Sequence, residues 1–494
     1  MRTLISTRPR RTAAAALAMA ITAFLTFVFS TWGGDTPIDN WDLGGWMKRL
    51  VLLPGLLAFL TFLIATVATQ TPAQAATHQA TTDALVAAGE SNKAFMAQVV
   101  GLEWLNPVQR RDYPTEWQTL WTMGLVKPNK NDDMVRTDPK SFTTIQAVAG
   151  IAYGNQGTET FKGFYHKYVD ELTGLFADRY VMNPKYFYTV KSDNKNDWRE
   201  LAGIHVEFAI PERLDPVEAQ TYLKQEIIAS FYIGNRSFPR LWSRNTPPEV
   251  AVTPGGANAG FKSLNAALDY LQANPDKSVW VMNWDAPSFP PKDAQINENM
   301  VLLFLVGPSF KTERAPLAWI GKAATGNAQE FETKVGTTRA VEAWKSTIAA
   351  AAHNANVSPT DIHFVIHDAG KGSDAASLRM GTLGRTLTET LPEFDYQKQT
   401  FNTPSLLGEM GAGTALTDVV LAIGRANHLG EKVLVAGTSD AEHPVAVVVT
   451  PPEKVVPIDP DTDWFRARGE NNAYLPWWGR RYDTDYGRQQ GWSW

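Results

Sequence analysis

The chain contains one arrangement twice, a glycine run followed by a helix and two strands, with the copies about 150 residues apart. In the first copy, glycines within residues 255–260 precede a segment whose apolar residues recur with helical spacing. Two apolar runs follow, at residues 279–282 and 300–306, and both are typical of buried strands. A glycine run at the start of a helix lets the helix N-terminus approach another backbone or a ligand closely.

The second copy begins with glycines within residues 408–413 and continues with a helical pattern that places Leu416 and Ile423 on one face. Apolar runs at residues 433–435 and 445–449 complete it. Such an internal duplication predicts two similar α/β halves, because each copy supplies strands and an amphipathic helix to cover them. The predicted fold class is therefore α/β, with a duplicated, layered body.

Length, charge and cysteine content exclude several function classes. The 494 residues allow two or three domains. The formal net charge of −5 is not that of a nucleic-acid-binding chain, so no nucleic-acid partner is predicted. Cysteine is absent, which excludes disulfides, thiolate metal sites and any thiol nucleophile.

Two N-terminal segments, residues 12–32 and 50–69, contain no charged side chain and are long enough to span a bilayer. Four arginines precede the first segment, whereas the loop at residues 33–49 contains three aspartates. Positive charge favours the cytoplasmic side of a membrane, so the pattern predicts a hairpin of two transmembrane helices with the C-terminal body in the cytoplasm.

A second interpretation of the N-terminus stays open. Positive charge after Met47, the apolar run and the small residues up to Ala75 together have the pattern of a cleaved signal peptide. If translation started at Met47, the body would be periplasmic. The hairpin is the interpretation that we favour for the chain as it stands.

We predict four regions along the chain. They are a membrane hairpin and linker (1–82), a soluble α+β region rich in aromatic residues (83–200), the duplicated α/β domain (201–454) and a C-terminal tail (455–494). Within the third region, the residue patterns predict strands at 205–210 and 362–366, helices at 216–230, 339–355 and 375–391, and a loop at 235–256.

The C-terminal tail combines aromatic and arginine side chains, the residue types enriched at the hot spots of protein interfaces. Its candidate partner-binding residues are Trp464, Trp477, Trp478, Arg480, Arg481, Trp492 and Trp494. Acidic residues are interspersed among them, which disfavours a nucleic-acid surface. A strap packed across the chain's own core and a surface for a partner protein both remain open for this tail.

Two motifs in the second half of the chain carry a family resemblance. His367 follows an apolar run, and small residues, Asp374 and a helical pattern come after it. Asn402 stands ahead of a second group of small residues that includes Glu409. Over residues 338–450 this order resembles the C-terminal half of the thiolase-like fold of ketoacyl synthases, where a catalytic His ends the corresponding strand.

The resemblance also indicates which catalytic residues of the family are absent from this chain. The family carries its nucleophilic Cys at a helix N-terminus, and the equivalent position here lies within residues 257–263, which contain no Cys. The family motif has a second catalytic His where this chain has Glu409. Ser263 is an alternative nucleophile, although the sequence places no base beside it.

These departures imply a vestigial site rather than a catalytic one. In the family, a thiolate attacks an acyl thioester while two His residues serve the oxyanion and the proton transfers. The anionic side chain of Glu409 would oppose a developing oxyanion instead of stabilising it. We therefore expect a non-catalytic protein without cofactor or metal, in which His367, Asp374, Asn402 and Glu409 are vestigial and His367 is hydrogen-bonded to the Glu409 loop.

The layout of the whole chain resembles a bacterial family, the type VI lipase adaptor proteins. The resemblance depends on the membrane stretch, on the Gly101–Trp104 and Trp117–Trp121 segments, on the cysteine-free thiolase-like region and on the aromatic tail. It implies an adaptor at the inner membrane that helps load a lipase effector onto the spike protein of a type VI secretion machine. A homodimer is compatible with it.

Two other functions remain open at this point. One is a thiolase-like acyltransferase or ketosynthase-type enzyme that works through non-standard residues, and the other is an envelope structural protein. Turnover of an acyl thioester would favour the enzyme, whereas co-purification of a lipase or a spike protein would favour the adaptor.

Overall fold

The computed structural model describes residues 93–105, 115–126, 166–174 without 167 and 171, 204–231, 248–286, 296–310, and 312–458 without 313 and 392. Apart from Lys93, these residues belong to one compact unit, Ala94–Trp494. The predicted membrane hairpin, much of region 83–200 and the tail beyond Ile458 lie outside the described residues. Among the helices that are described, none is both long enough and apolar enough to cross a bilayer.

Eleven described strands form one mixed sheet. They are β1 (Ala97–Leu105), β2 (His205–Pro211), β3 (Glu249–Gly255), β4 (Ser278–Asp285), β5 (Asn299–Val306), β6 (Ala318–Ile320), β7 (Ala324–Thr325), β8 (Phe364–His367), β9 (Thr400–Asn402), β10 (Val433–Gly437) and β11 (Val445–Thr450). Every residue of β1, β4, β5, β8, β10 and β11 is buried, as is usual for strands covered on both faces.

The strand order shows the duplication directly. The sheet runs β3-β2-β4-β5-β1 and continues as β6-β11-β10-β8-β9, with β7 paired to β11. The first half consists of β1 to β5, and the second half consists of β6, β8, β9, β10 and β11. If the strands of each half are numbered one to five in chain order, both halves have the order 3-2-4-5-1 from the outer edge of the sheet to its centre. In both halves the pairs 2–3 and 2–4 are parallel and the pairs 4–5 and 5–1 are antiparallel.

The predicted pair of similar α/β halves is therefore confirmed. Strand β4, which contains residues 279–282, and strand β10, which contains residues 433–436, occupy the same place in the two halves. The halves join through an antiparallel pair of β1 and β6, which are also corresponding strands. If two similar halves are related by an approximate two-fold axis, the equivalent strands that meet at the axis must pair antiparallel, as β1 and β6 do.

Seven described α-helices accompany the sheet. They are α1 (Thr115–Thr122), α2 (Pro216–Ser230), α3 (Ala259–Ala273), α4 (Arg339–Asn354), α5 (Asp374–Thr390), α6 (Thr403–Leu407) and α7 (Thr414–Leu429). Three of the longer helices begin at a side-chain cap, because Asp215, Thr338 and Ser373 each accept a hydrogen bond from a backbone N–H in the first turn.

The prediction of a loop at residues 235–256 is partly wrong, because the last part of this segment forms strand β3. This strand lies at the edge of the sheet and pairs in parallel with β2 alone. Pro254 has no N–H to donate, which an edge strand tolerates and a central strand does not. The prolines of the segment indicated a loop, although they are compatible with an edge strand.

The sheet also crosses the predicted boundary near residue 200. Strand β1 comes from region 83–200, yet it pairs with β5 on one side and with β6 on the other. Its buried apolar side chains contribute to two core clusters, Trp104 to one and Val100 to the other. This part of the predicted α+β region is therefore an integral strand of the duplicated body.

Helices α3 and α7, the helices that follow the two glycine runs, meet in the core. A Cβ on Gly260 of α3 would lie 3.0 Å from the Cβ of Ala415 and 3.2 Å from the Cγ of Leu416, both on α7. Glycine at this position allows the close approach. All residues of α7 except Arg425 and Leu429 are buried, because this helix packs against strands of both halves.

Candidate functional site

The structure brings His367 and Asn402 together at the carboxyl ends of neighbouring strands. His367 is the last residue of β8, and Asn402 is its register partner on the parallel strand β9. On the other side, Ala436 of β10 is the partner of His367. Loops at the carboxyl ends of parallel strands are where α/β sheets commonly place ligand sites.

Both ring nitrogens of His367 are used inside the protein. Its Nδ1 accepts a hydrogen bond from the backbone N–H of Ala369 at 3.3 Å, and its Nε2 lies 3.3 Å from the hydroxyl of Tyr396. Because a backbone N–H can only donate, the proton of the neutral ring is assigned to Nε2, which then donates to Tyr396. His367 is 1% exposed, and this burial lowers its pKa from 6.5 to about 4.

Asn402 holds the loop that follows His367. Its Oδ1 accepts from the N–H of Gly370 at 3.1 Å, and its Nδ2 donates to the carbonyl of the same residue at 2.7 Å. Gly370 has φ +78°, a conformation that a side chain would strain. The paired bonds give Asn402 a structural role in fixing this loop.

Asp374 lies apart from His367, at the start of α5. It is exposed, and Ser373 immediately before it caps the helix by accepting from the N–H of Ala376 at 3.1 Å. A carboxylate in the first turn interacts favourably with the positive end of the helix dipole. The structure thus supports a helix-stabilising role for Asp374.

The predicted hydrogen bond between His367 and the Glu409 loop is wrong, because Tyr396 occupies the Nε2 side of His367. Glu409 lies at the surface, and its backbone carbonyl accepts from the N–H of Asn297 at 2.7 Å. Partial desolvation raises the pKa of its carboxyl, while the positive charge of Arg379 acts in the opposite direction. The charges that act on Glu409 are therefore those of Arg379 and Asp368.

The second glycine run is explained by side chains of the first half. A Cβ on Gly413 would overlap the side chain of Asn299, and a Cβ on Gly411 would overlap the carboxyl of Asp285. The amide of Asn299 donates to the carbonyl of Met410 at 3.2 Å. The glycines do allow a close approach, but the groups that approach them are side chains of the first half rather than another backbone or a ligand.

The buried carboxyl of Asp285 links the two halves through a hydrogen bond from Ala412. Its carboxyl is 2% exposed, pairs with Arg213 at 2.8 Å and accepts from the backbone N–H of Ala412 at 2.9 Å and of Ala286 at 2.8 Å. Burial raises the pKa of this carboxyl, while Arg213 and the hydrogen bonds act to lower it. The end of β4 is thereby fixed to the glycine run that precedes α7.

The segment where the resemblance would place a nucleophile spans the start of α3. Asn258 precedes the helix and makes no side-chain capping bond, and Gly437 at the end of β10 packs against it. Ser263 is fully buried, and its Oγ has no hydrogen-bond partner among the described residues. The described structure therefore provides no base in hydrogen-bond contact with Ser263.

Two buried acids lie beside the site. Asp368 accepts hydrogen bonds from both the N–H and the hydroxyl of Thr438, the latter at 2.7 Å. Asp418 on α7 is 1% exposed. Burial, followed by the charge of Asp368, raises its pKa well above the usual value, and the hydroxyl of Thr403 acts in the opposite direction. The carboxyl of Asp418 therefore keeps its proton to a higher pH than an exposed aspartate does.

Sequence reasoning missed Tyr396, Asp368 and Asp418. A signal existed for Asp418, because an acid within the apolar pattern of α7 must be buried with the rest of that face. Asp368 directly follows His367 and could have been included with it. Tyr396 had no sequence signal, because only the fold brings it to the ring of His367.

Two further predictions concern metal binding and the C-terminal tail. In the described part of the chain, no group of three or more His, Asp or Glu side chains is arranged to hold a metal ion. The partner-binding candidates of the tail lie outside the described residues, and their role stays a prediction. They are Trp464, Trp477, Trp478, Arg480, Arg481, Trp492 and Trp494.

Comparison with solved structures finds ketosynthases. The oxazolomycin ketosynthase domain from Streptomyces albus is 13% identical and covers 75% of this chain and 100% of its own, with a TM-score of 0.45. The ketosynthase from module 6 of the Bacillus subtilis bacillaene synthase is 9% identical, with 72% of each chain covered and a TM-score of 0.47. A type II polyketide ketosynthase in complex with its acyl-carrier protein is 12% identical, with 73% and 100% covered and a TM-score of 0.46.

No protein-family profile matches the sequence, and no curated protein sequence matches it. The sheet and its helices establish that the body is a mixed α/β fold. None of these similarities assigns an activity to the chain.

Proposed function

We propose that this chain is a non-catalytic adaptor on a thiolase-like scaffold, which helps load a lipase effector onto the spike protein of a type VI secretion machine. The observation that carries the non-catalytic part is the state of His367. Its Nδ1 accepts from Ala369, and its Nε2–H is directed to Tyr396. A base needs a free lone pair, and the lone pair of this ring is already used.

The other groups around His367 also disfavour thioester chemistry. The chain has no Cys to form an acyl-enzyme. Glu409 stands where the family motif has a second His, and Ser263 has no base in contact. General acid–base catalysis by one residue typically increases a reaction rate by a factor of about 10² to 10⁴, which is far below the usual rate acceleration by an enzyme. Structural roles account for the residues that occupy the positions of the family motif in this chain.

The partners in this proposal come from the resemblance of the chain layout to the type VI lipase adaptors. The proposal includes anchoring in the bacterial inner membrane through residues 12–32 and 50–69, with the body in the cytoplasm. It assigns partner contact to the tail, where Trp477, Trp478 and Arg480 are candidates. Aromatic and arginine side chains are the types that dominate binding energy at interfaces.

The test is reconstitution with the two partners. The full chain, extracted from membranes in detergent, is mixed with a lipase effector and a spike protein of a type VI secretion machine, and complexes are separated by size. We expect one complex that contains all three proteins. Replacement of Trp477 and Trp478 by Ala should weaken it at least about tenfold, or about 1.4 kcal/mol, as expected for hot-spot residues.

A matched control is Val335→Ala, which changes an exposed apolar side chain on a described surface loop and should leave the complex unchanged. Absence of any complex with either partner would refute the adaptor function. If Val335→Ala weakened the complex as much as the tryptophan replacements do, the role assigned to the tail would be contradicted.

A further inference from the structure

Strand β3 forms one outer edge of the sheet. Among the described strands it pairs with β2 alone, in parallel and over seven residues. The outer edge of the second half, β9, has three residues. After Glu249, β3 carries no charged side chain. Proteins usually protect a free edge by keeping the strand short or by placing charges on it, and β3 has neither protection.

The register of β3 shows which of its peptide groups face outwards. The N–H of Glu249 donates to the carbonyl of Ile204, which directly precedes β2, at 2.8 Å. Peptide groups of successive residues in a strand point to opposite sides, so every second residue of β3 bonds towards β2. The peptide groups of Val250, Val252 and Pro254 therefore point away from β2, towards the outer edge.

Two of these outward groups are not available to a further strand. The carbonyl of Val250 already accepts a hydrogen bond from the side-chain amide of Gln220, on α2, at 2.5 Å. Pro254 has no N–H to donate. The groups that remain are the N–H of Val250, both peptide groups of Val252 and the carbonyl of Pro254. A complementary strand would therefore lack a donor opposite Val250 and would place one opposite Pro254.

A second copy of β3 meets both requirements. If two β3 strands run antiparallel with Val252 opposite Val252, each Val252 donates its N–H to the carbonyl of the other. Val250 of one copy then lies opposite Pro254 of the other, and its N–H donates to the Pro254 carbonyl. The donor that Pro254 lacks would be directed at the Val250 carbonyl, which Gln220 already occupies. The edge of β3 is thus complementary to itself in this register.

We propose that β3 pairs antiparallel with β3 of a second copy of this chain, with Val252 at the two-fold axis, so that one sheet continues through a homodimer. Two-fold dimers of this kind use the same surface on both copies. Gln220 and Pro254 together set the register of the pairing. The proposal goes beyond the adaptor function and does not depend on it.

The surface of α2 beside this edge fits the same partner. Together with the start of β3, one side of α2 lines a groove of about 500 Å³. Val217, at the start of α2, is 65% exposed. Protein interfaces are depleted of charge at their centre, and the α2 residues of the groove include one charged side chain, Lys224. These residues are Gln220, Thr221, Lys224, Gln225 and Ile228.

The absence of cysteine from the chain allows a direct test of the register, because a single introduced Cys can pair only with its copy. Opposed Cα atoms in a hydrogen-bonded antiparallel pair lie about 5.5 Å apart, which suits a disulfide. We expect the full chain with Val252→Cys, purified in detergent, to form a disulfide-linked dimer under mild oxidation, as measured by non-reducing gel electrophoresis.

The matched control is Glu249→Cys, at an exposed position on the same strand. In the proposed register its two copies lie about 20 Å apart, because six residues at about 3.4 Å each separate them along the strands. This variant should remain unlinked. Linkage of Glu249→Cys to the same extent as Val252→Cys, or no linkage of Val252→Cys, would overturn the proposal.

The mass of the full chain in detergent, measured by light scattering, provides the second readout. We expect a dimer for the wild type. Val252→Pro removes an N–H that points away from β2, so it should raise the dissociation constant of the dimer at least about tenfold. A monomeric wild type, or a dimer that Val252→Pro leaves equally tight, would overturn the proposal. If Val252→Pro does not fold, the two cysteine variants decide.

Discussion

The hydroxyl of Tyr396 lies 3.3 Å from Nε2 of His367, at the position from which a ligand would have to approach that nitrogen. The ring of Tyr396 rests on Gly384 of α5, where a Cβ would lie 3.5 Å from it. A Cβ at this distance would be in ordinary van der Waals contact with the ring, so the packing of Tyr396 does not itself require glycine at this position. His367 thereby anchors the loop between α5 and β9.

The first prediction concerns that anchor. Tyr396→Phe keeps the ring and removes the hydroxyl, which leaves the buried Nε2–H of His367 without its partner. We expect a loss of about 1–2 kcal/mol in the free energy of unfolding, the usual cost of an unsatisfied buried donor. Denaturant unfolding of the full chain measures it.

The matched control is Tyr270→Phe, since the hydroxyl of Tyr270 makes no hydrogen bond among the described residues and should cost little. Equal losses in both variants would show that the bond to His367 contributes nothing specific.

The second prediction is a pH dependence that belongs to His367. Burial lowers its pKa from 6.5 to about 4, so the folded state favours the neutral ring. Its contribution to stability is complete above about pH 6.5 and is lost as pH falls towards about 4. The shift corresponds to about 3 kcal/mol.

His367→Gln should remove this dependence, so the stability difference between wild type and variant should change by about 3 kcal/mol between about pH 7 and about pH 4. Unfolding curves at several pH values measure it. His353→Gln, at an exposed position, serves as the control and should run parallel to the wild type. Parallel curves for His367→Gln as well would contradict the buried, neutral state of this ring.

The third prediction compares two glycines. Gly413 has φ −81°, which Ala can adopt, so the cost of Gly413→Ala should come only from overlap with Asn299. We expect a loss of about 2–3 kcal/mol from this overpacking. Gly381, inside α5, has no atom within 4 Å of a new Cβ, and Gly381→Ala should raise stability by about 0.5–1 kcal/mol. Thermal unfolding of both variants would reveal opposite shifts, and shifts of the same sign would be inconsistent with the described packing.

The fourth prediction concerns the link between the halves. Asp285→Asn replaces a buried acceptor oxygen used by Arg213 or by the N–H of Ala412 with an amide donor, and we expect a loss of about 1–3 kcal/mol, the usual cost of an unsatisfied buried polar group. Asp269→Asn breaks the exposed pair with Lys322 and should cost less than about 1 kcal/mol. A loss for Asp285→Asn as small as that for Asp269→Asn would mean that the halves do not depend on this carboxyl.

Much of the fold could be predicted because buried strands and helices leave regular patterns. The helix predicted at residues 216–230 has those bounds, and the helix predicted at 339–355 ends one residue earlier, at Asn354. The duplication of the glycine runs predicted the two halves. Strand β3 was missed because Pro254 is acceptable only at a sheet edge, and edge position is a property of the assembled sheet.

The candidate site could be predicted only in part. His367 and Asn402 lie together because residues at the ends of neighbouring parallel strands are adjacent. The partner of His367 could not be predicted, since Tyr396 is 29 residues away in a loop without a pattern. The pKa of Asp418 is raised by its burial and then by the charge of Asp368, and only the packed structure brings these two effects together.

The central claim, that the site around His367 performs no thioester chemistry, is tested most directly by intact-mass and thiol-release measurements on the full chain with an acyl thioester. The account predicts no covalent acyl adduct and no thiol release above the buffer rate for the wild type, His367→Ala and Ser263→Ala. Thiol release by the wild type that His367→Ala abolishes, with the fold intact by circular dichroism, would contradict it and establish an enzyme.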